Sequence, residues 1–504
     1  MNGNNVFKNT LILTLSGILA KTLDFSFRTY YSKLLGSEGC GLLSLVFSVY
    51  SIMLTFATAG ISVAVSKIIS RHIASNNLIS VKRTMTASLL YTFFSSIAVI
   101  IAVFLFSEYI SVNILKDERT KTALLFLCPS ILFMSVSYCY KGYFYSARKI
   151  LIPASSEFVE QFVKITSISY LISKWLPYGI EYGTFSVFLG ITLGEASSCI
   201  YLSLFYLREH KKIPLKGTHT PIISPIVKTA FPAMLSSLSG SYLNMQEELL
   251  TVRGLEKSGL SHSNTLGTYG TIFGMVMPLT VFPLTLLSSF LTLLVPEISR
   301  AATRKGTDRL VDVSKKVYKF AAISSFLVVT ILFCNADELA KAVYNKNNIG
   351  SLIVIFACLL PVILFDSVSH RILDGLGKQF MLLILTLLSS ALRILLCIFL
   401  IPRYGTAGII ITTYVGSLFS FFIKLIVVMS KTKLSLPVLE WFLAPFFVCL
   451  FTVFLNNTVL INLFFNTNLL LKILLTSALY IILMLSGKII TTNEIKWVKS
   501  KIKC

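Results

Sequence analysis

Charged residues are scarce in this chain, and the common catalytic motifs are missing. Only 13% of its 504 residues are Asp, Glu, Lys or Arg, against roughly 25% in a soluble globular protein. The sequence has no G-x-x-x-x-G-K-[ST], G-x-G-x-x-G, H-E-x-x-H or G-x-S-x-G segment, so an ATP-driven pump or a membrane hydrolase has little support. The nine cysteines form no C-x-x-C pair and no cluster with histidine, which argues against a disulfide framework and a metal site. We therefore predict no catalytic residues, metal or cofactor.

Apolar residues fill most of the chain instead. They make up 55% of it, and the mean hydropathy is +0.79. A membrane-spanning helix needs about 20 mostly apolar residues. Fourteen stretches meet this need: 7–32, 41–69, 84–107, 121–146, 151–173, 183–207, 223–252, 268–295, 318–336, 348–370, 379–401, 405–430, 438–457 and 467–487. These runs are too long for the alternating segments of a barrel, so the sequence predicts an all-α polytopic membrane protein with 14 transmembrane helices.

The excess of basic residues follows the predicted topology. The net charge is +23, and basic clusters at 207–216, 299–316 and 496–504 fall on one side when the spans are counted in order. Cytoplasmic loops carry such an excess, so we expect a multi-pass protein of the cytoplasmic membrane with both termini inside and no nucleic-acid partner. A secretory signal peptide would also fit the apolar start of the chain, but the repeat described next gives that segment an internal counterpart.

The chain resembles itself at a shift of about 229 residues. At this shift Gly41 falls on Gly270, and one residue further Lys141 falls on Arg371. Two six-helix units of the same orientation form a parallel repeat, which is typical of transporters, although a duplicated scaffold without transport also fits. We predict two lobes around a central cavity, followed by two further helices. The predicted boundaries are 1–215, 216–434 and 435–504.

Three charges lie within the first predicted span. Lys21, Asp24 and Arg28 are spaced i, i+3 and i+7, so they share one face of a helix. A charge at mid-bilayer costs roughly 2.5 to 3.5 kcal/mol on insertion scales, and charges that persist face a bundle interior or a wet cavity. Two cations against one anion leave a positive surplus that a phosphate would complete. We predict that this face binds substrate, with mutual neutralisation of the charges as the alternative.

Further charges extend this polar interior. The fifth span repeats the same spacing with Glu157, Glu160 and Lys164. Further candidates within predicted spans are Glu195, Glu247, Glu248, Asp366 and Arg393. The predicted substrate-binding residues beside the first span are Lys164 and Arg393, and the predicted gating or ion-coupling residues are Glu157, Glu160, Glu247 and Glu248.

A latch between the lobes is a separate hypothesis. Alignment of the seventh span on the first sets Glu248 at the position that Arg28 occupies in the other lobe. An acid and a cation opposed in this way would hold a closed state and be separated by substrate.

The segment 25–70 resembles the stage V sporulation protein B family of spore-forming bacteria. The matching residues are Arg28, the L-L-G-S-E-G-C-G-L turn at 34–42, Tyr50 and the A-G-I-S-V-A-V-S-K run at 59–67. That family belongs to the polysaccharide-exporter branch of the multidrug/oligosaccharidyl-lipid/polysaccharide superfamily and is similar to the lipid II flippases. The resemblance implies a central cavity lined by cations, in which Arg28 is the best match and Lys21 a weaker one.

The implied function is alternating-access flipping of an undecaprenyl-pyrophosphate-linked saccharide, with lipid II as the expected cargo, during spore cortex synthesis. Expected partners are this substrate, membrane lipids and cell-wall synthases, and the expected site in sporulating cells is the forespore outer membrane. An H⁺ or Na⁺ gradient or the membrane potential would drive transport. Two alternatives are a cation-coupled multidrug antiporter, which the cations of the first span disfavour, and a non-transporting scaffold that recruits synthases through residues 299–319.

Overall fold

Helices make up all of the regular structure in the described part of the chain, as predicted. The computed structural model describes residues 3–58, 60–75, 77–210, 223–292, 307–432, 434, 442–460, 468–487 and 489. The basic tail at 496–504, residues 299–306 of the basic cluster at 299–316 and residues 211–216 of the cluster at 207–216 lie outside these ranges. No disulfide joins the cysteines within them.

The chain divides into two compact units, residues 1–270 and 271–504. Unit 1 contains α1 Gly3–Thr58, α2 Ile61–Ala74, α3 Leu78–Tyr109, α4 Arg119–Ser146, α5 Leu151–Trp175, α6 Ile180–His210, α7 Ile223–Lys257 and α8 His262–Tyr269. After α8 the chain continues as a π-helical turn, Gly270–Val276. Unit 2 contains α9 Met277–Thr292, α10 Thr307–Tyr344, α11 Gly350–Ala357, α12 Leu360–Gly375, α13 Gln379–Tyr404, α14 Thr406–Thr432, α15 Ala444–Leu455 and α16 Leu469–Ser486. The lobe boundaries predicted after 215 and 434 stay predictions.

Ten helical segments in the described ranges are long and apolar enough to cross a membrane. One of them, Ser16–Thr58, covers two predicted spans, because Gly36 (φ 71°, ψ −172°) interrupts the helical backbone of α1 and divides it into two arms. α5 and α7 are also long but carry several charges, and α15 is short. These segments correspond to the remaining predicted spans, and the number of 14 stays a prediction.

α3 packs through a stripe of small polar residues. Every fourth residue from 80 to 96 is Ser or Thr and fully buried: Ser80, Thr84, Ser88, Thr92 and Ser96. Small residues let membrane helices approach closely where no water is present to drive them together. The hydroxyl of Thr92 contacts the thiol of Cys139 on α4, 3.6 Å away, so the stripe joins α3 to α4.

Four chain reversals lie at one end of unit 1, which we call the loop end. They follow the first arm of α1, α3, α5 and α7 in turn. Ion pairs join three of them: Arg119 Nη1 lies 3.0 Å from Glu38 Oε1, and His262 Nε2 lies 3.3 Å from Asp117 Oδ2. The turn of α1, the α3–α4 loop and the α7–α8 hairpin therefore contact one another.

Unit 2 is centred on α10, which packs against α11, α12, α15 and α16. Buried tyrosines fix these contacts through their hydroxyl groups. Tyr318 of α10 shares a 2.7 Å hydrogen bond with Ser369 of α12, and Tyr480 of α16 donates to the carbonyl of Ile323 at 3.2 Å. Such bonds satisfy polar groups that lipid could not.

Candidate functional site

The first arm of α1 carries the three charges that the sequence singles out. Lys21 and Asp24 are exposed and Arg28 is half-buried. Lys164 of α5 reaches Asp24, with 2.6 Å between Nζ and Oδ1. The only acid of the stripe is thus engaged by a helix 140 residues further along the chain.

Arg28 forms no ion pair within the described ranges. Its neighbours on α1 are aromatic: Phe27 stacks on Tyr30 with ring centroids 5.6 Å apart and meets Tyr31 edge-on at 5.7 Å. A guanidinium presents five N–H donors in a planar fork that fits phosphate oxygens. Half-buried and without an ion-pair partner among the described residues, Arg28 is suited to bind an anionic head group.

α5 and α6 approach each other closely beside this stripe. A Cβ on Gly194 would lie 3.0 Å from Lys164 Cβ and 3.1 Å from the carbonyl oxygen of Glu160. The next residue, Glu195, is buried with 8% exposure and interacts electrostatically with Glu160 and Lys164. The absence of a side chain at 194 is what brings these charges together.

A third helix, α4, adds Lys141 to this group. Lys141 Nζ lies 3.8 Å from Glu157 Oε1. We call the whole set the N-terminal charge cluster: Asp24, Lys141, Glu157, Glu160, Lys164 and Glu195. Four carboxyl groups against two ammonium groups make it acidic, in contrast to the cationic surplus predicted for α1.

The proposed latch residue Glu248 has a different partner in this structure. Its carboxylate accepts a hydrogen bond from the hydroxyl of Tyr269, which is fully buried. Arg28 and Glu248 are therefore not paired with each other in this conformation, and the latch stays a prediction. Glu247 precedes Glu248 on α7 and is half-buried.

Unit 2 contains a buried ion pair, of which only one residue was predicted from the sequence. Lys424 of α14, 5% exposed, donates to both carboxylate oxygens of Asp366 on α12, at 2.9 and 2.8 Å. Ser420 adds a third hydrogen bond at 2.9 Å. Asp366 was among the predicted interior charges, but Lys424 was missed, although a lysine inside the apolar run F-F-I-K-L-I-V-V is a visible signal.

Arg393 lies on α13 against a glycine of α14. A Cβ on Gly416 would lie 2.6 Å from Arg393 Cδ, so the aliphatic stem of the arginine fills that space. At the repeat shift of about 229 residues, Arg393 is the counterpart of Lys164 and Lys424 the counterpart of Glu195. The two halves of the repeat thus carry charged residues at matching sequence positions. Lys164 and Arg393 are both basic, whereas Glu195 is acidic and Lys424 is basic.

A double-mutant cycle on Asp24 and Lys164 is expected to give a coupling energy of about 1 kcal/mol. The value is modest because the carboxylate is half exposed, with 53% of its side-chain surface open. The measurement is the free energy of unfolding of Asp24→Asn, Lys164→Met and the double variant in one detergent.

Lys174 of α5 supplies the control for this cycle. It sits over the ring of Tyr170, 4.6 Å from the centroid, almost three helical turns beyond Lys164. The cycle between Asp24→Asn and Lys174→Met should return no coupling, and equal couplings in the two cycles would contradict a specific pair.

Comparisons with known proteins agree with the sequence resemblance. A profile of the family described as polysaccharide biosynthesis protein matches residues 6–302. Stage V sporulation protein B of Bacillus subtilis (strain 168) is 24% identical over 505 residues, covering 97% of this chain and 96% of that protein. The predicted resemblance is confirmed.

Two solved structures share the fold. A lipid II flippase MurJ in an inward closed conformation superposes with a TM-score of 0.70 at 15% identity, over 94% of this chain and 98% of that one. A multidrug resistance MATE family transporter of the MOP superfamily, in an inward-facing conformation, gives 0.65 at 16% identity, over 84% and 99%. Both superpositions extend over most of the chain, so the similarity concerns the whole fold and not a single domain.

Proposed function

Because this chain belongs to the polysaccharide biosynthesis protein family, we propose that it flips an undecaprenyl-pyrophosphate-linked saccharide across the cytoplasmic membrane by alternating access. The proposed cargo is lipid II, and the proposed setting is spore cortex synthesis at the forespore outer membrane. Support comes from two similar proteins, one named a stage V sporulation protein and the other a lipid II flippase. Both termini are proposed to be cytoplasmic, which puts the loop end outside.

The observation that supports this proposal best is that the positive charge of Arg28 is not offset by an ion pair among the described residues. A cation in a membrane helix is costly unless something offsets its charge. Asp24, the nearest acid on α1, is engaged by Lys164, and Arg28 has no ion-pair partner in the described ranges. A pyrophosphate would supply the missing negative charge and accept the bidentate hydrogen bonds.

The saccharide explains why an enclosed path is needed. Each of its hydroxyl groups would lose its water partners in hydrocarbon, at several kcal/mol apiece. In the proposed mechanism Arg28 and Lys21 attract the pyrophosphate, Lys164 and Arg393 add positive charge, and the prenyl tail stays in lipid. The acidic residues Glu157, Glu160, Glu247 and Glu248 are proposed to couple an ion gradient to opening and closing.

The test is flipping in reconstituted liposomes. Fluorescent undecaprenyl-pyrophosphate disaccharide is placed in one leaflet, and its transfer is followed with a quencher that does not cross the membrane. Arg28→Ala should slow transfer by about tenfold or more, because a hydrogen bond to a charged group contributes roughly 1.5 to 3 kcal/mol. Arg28→Lys should retain an intermediate rate, since lysine keeps the charge without the fork.

Lys33 provides a matched control on the same helix. It is an exposed cation one turn and a half beyond Arg28, so Lys33→Ala should flip at the wild-type rate. Flipping by Arg28→Ala at that rate would contradict the proposal, as would equal transfer of a lipid with a neutral head group.

A cation-coupled multidrug antiporter is the second candidate, favoured by the excess of carboxyl groups in the N-terminal charge cluster. The same liposomes distinguish it. Efflux of a cationic dye driven by an H⁺ or Na⁺ gradient, lost in Glu160→Gln but kept in Arg28→Ala, would support the antiporter over the flippase.

A further inference from the structure

A network of ion pairs holds the loop end of unit 1 together. Arg119 donates from Nε and Nη2 to Asp117, at 3.0 and 2.7 Å, and from Nη1 to Glu38 Oε1 at 3.0 Å. Ser263 donates to the other oxygen of Glu38 at 3.1 Å. We call the complete set the loop clasp: Glu38, Asp117, Arg119, Glu256, His262 and Ser263.

The loop clasp joins segments that are far apart in the chain. Glu38 belongs to the turn of α1, Asp117 to the loop before α4, and His262 begins α8. α8 also packs against the second arm of α1. Any opening of this end that separates α8 from α1 must therefore break the clasp.

His262 lies between two carboxylates. Its Nδ1 is 2.8 Å from Glu256 Oε1 and its Nε2 is 3.3 Å from Asp117 Oδ2. A neutral imidazole has one N–H and presents a lone pair at its other nitrogen, whereas the protonated ring has two N–H donors. Only the protonated ring can donate to both carboxylates at once, so the geometry of the site matches imidazolium.

Arg119 holds the carboxylate of Asp117 as well as His262 does. Partial burial would raise the pKa of Asp117, but hydrogen bonds from Arg119 and His262 hold it below its usual value. The groups that face His262 are Asp117 from the α3–α4 loop and Glu256 from α7, with Arg119 and Glu38 one contact further away. Histidine is the residue of this set whose side chain ordinarily changes its charge between pH 5 and 8.

We propose that the loop clasp is a pH-sensitive closure in which protonation of His262 holds the loop end of unit 1 shut. Two charge-assisted hydrogen bonds are present when the ring is protonated and one is lost when it is neutral. The closure is therefore strongest below about pH 6.5, the ordinary pKa of an imidazole, and weakens as the pH rises above that value. This inference goes beyond the proposed function, because it concerns the closed conformation alone and needs no cargo.

Hydrogen exchange on the full-length protein in nanodiscs tests the closure without any transport assay. Amide protection in peptides covering 116–120 and 263–269 is measured at pH 5.5 and 8.0 and corrected for intrinsic exchange. We expect wild-type protection to be about tenfold or more higher at pH 5.5, which is the effect of one charge-assisted hydrogen bond on local opening.

Three variants decide the outcome. His262→Gln should lose the pH dependence, His262→Lys should stay protected at both pH values, and the control His72→Gln on α2 should behave like the wild type. A pH response that survives in His262→Gln, or one in His262→Lys that follows the wild type, would overturn the proposal. Because no cargo is present, a failed flippase assay would leave this result unaffected.

Discussion

Replacing Gly270 with alanine is expected to push α8 away from the second arm of α1 and to lower the free energy of unfolding by about 3 kcal/mol. A Cβ at this position would overlap the carbonyl oxygen of Ser37 and lie 2.5 Å from the amide nitrogen of Gly41. Both neighbours are backbone atoms, so no side-chain rotation relieves the clash. The two helices would have to separate.

The matched control is Gly267→Ala, three residues earlier on α8. A Cβ there would lie 3.7 Å from Ser37 Oγ, an ordinary contact, and alanine is favoured over glycine within a helix by up to about 1 kcal/mol. Denaturant titration of both variants in the same detergent should therefore give effects of opposite sign. Hydrogen exchange of α8 should speed up only in Gly270→Ala, and equal stability of the two variants would contradict the backbone contact.

The contact between Gly41 and Gly270 also bears on the predicted repeat. The shift of about 229 residues makes these two glycines counterparts of each other, and in the structure they touch. Both glycines belong to unit 1, and the arrangement of the two predicted lobes stays a prediction.

Helices and their charged faces could be read from the sequence because both are local. The apolar runs predicted that the described part of the chain is all-helical, and the spacing of Lys21, Asp24 and Arg28 placed them on one side of α1. Local periodicity does not indicate which other helix packs against that side of α1. The pairing of Asp24 with Lys164 spans 140 residues, so it depended on how α1, α5 and α6 pack.

The loop clasp was missed for a related reason. Charges in polar loops are expected everywhere, so Asp117, Arg119 and His262 did not stand out as the charges within apolar spans did. Their significance arises only when the turn of α1, the α3–α4 loop and the α7–α8 hairpin meet at one end of unit 1. Gly36 gave a partial signal, since a turn was predicted at 34–42, but a sequence pattern does not reveal which loops that turn will contact.

Replacing Lys424 with methionine is expected to destabilise the protein by about 3 to 5 kcal/mol, because it leaves the carboxylate of Asp366 without its cation. Lys424 has 7% of its side-chain surface exposed and Asp366 has 24%, so water can do little to compensate. Among the described residues, Ser420 would remain as a hydrogen-bond donor to that carboxylate. The measurement is the free energy of unfolding in detergent, with folding of the variant checked by its elution from a sizing column.

The double variant Asp366→Asn with Lys424→Met should recover most of that loss and lie within about 1 kcal/mol of the wild type. Removing both charges also removes the cost of burying them, and replacing a whole buried pair is often close to neutral. The pair of Lys472 and Glu338 is the control, since it is more exposed, with 22% and 46% of the side-chain surfaces open, and Lys472→Met should cost only about 0 to 1 kcal/mol. If Lys424→Met costs no more than Lys472→Met, the buried pair is not a structural requirement of unit 2. If instead the double variant folds normally but no longer transports, the pair serves the transport cycle through its charges rather than through stability.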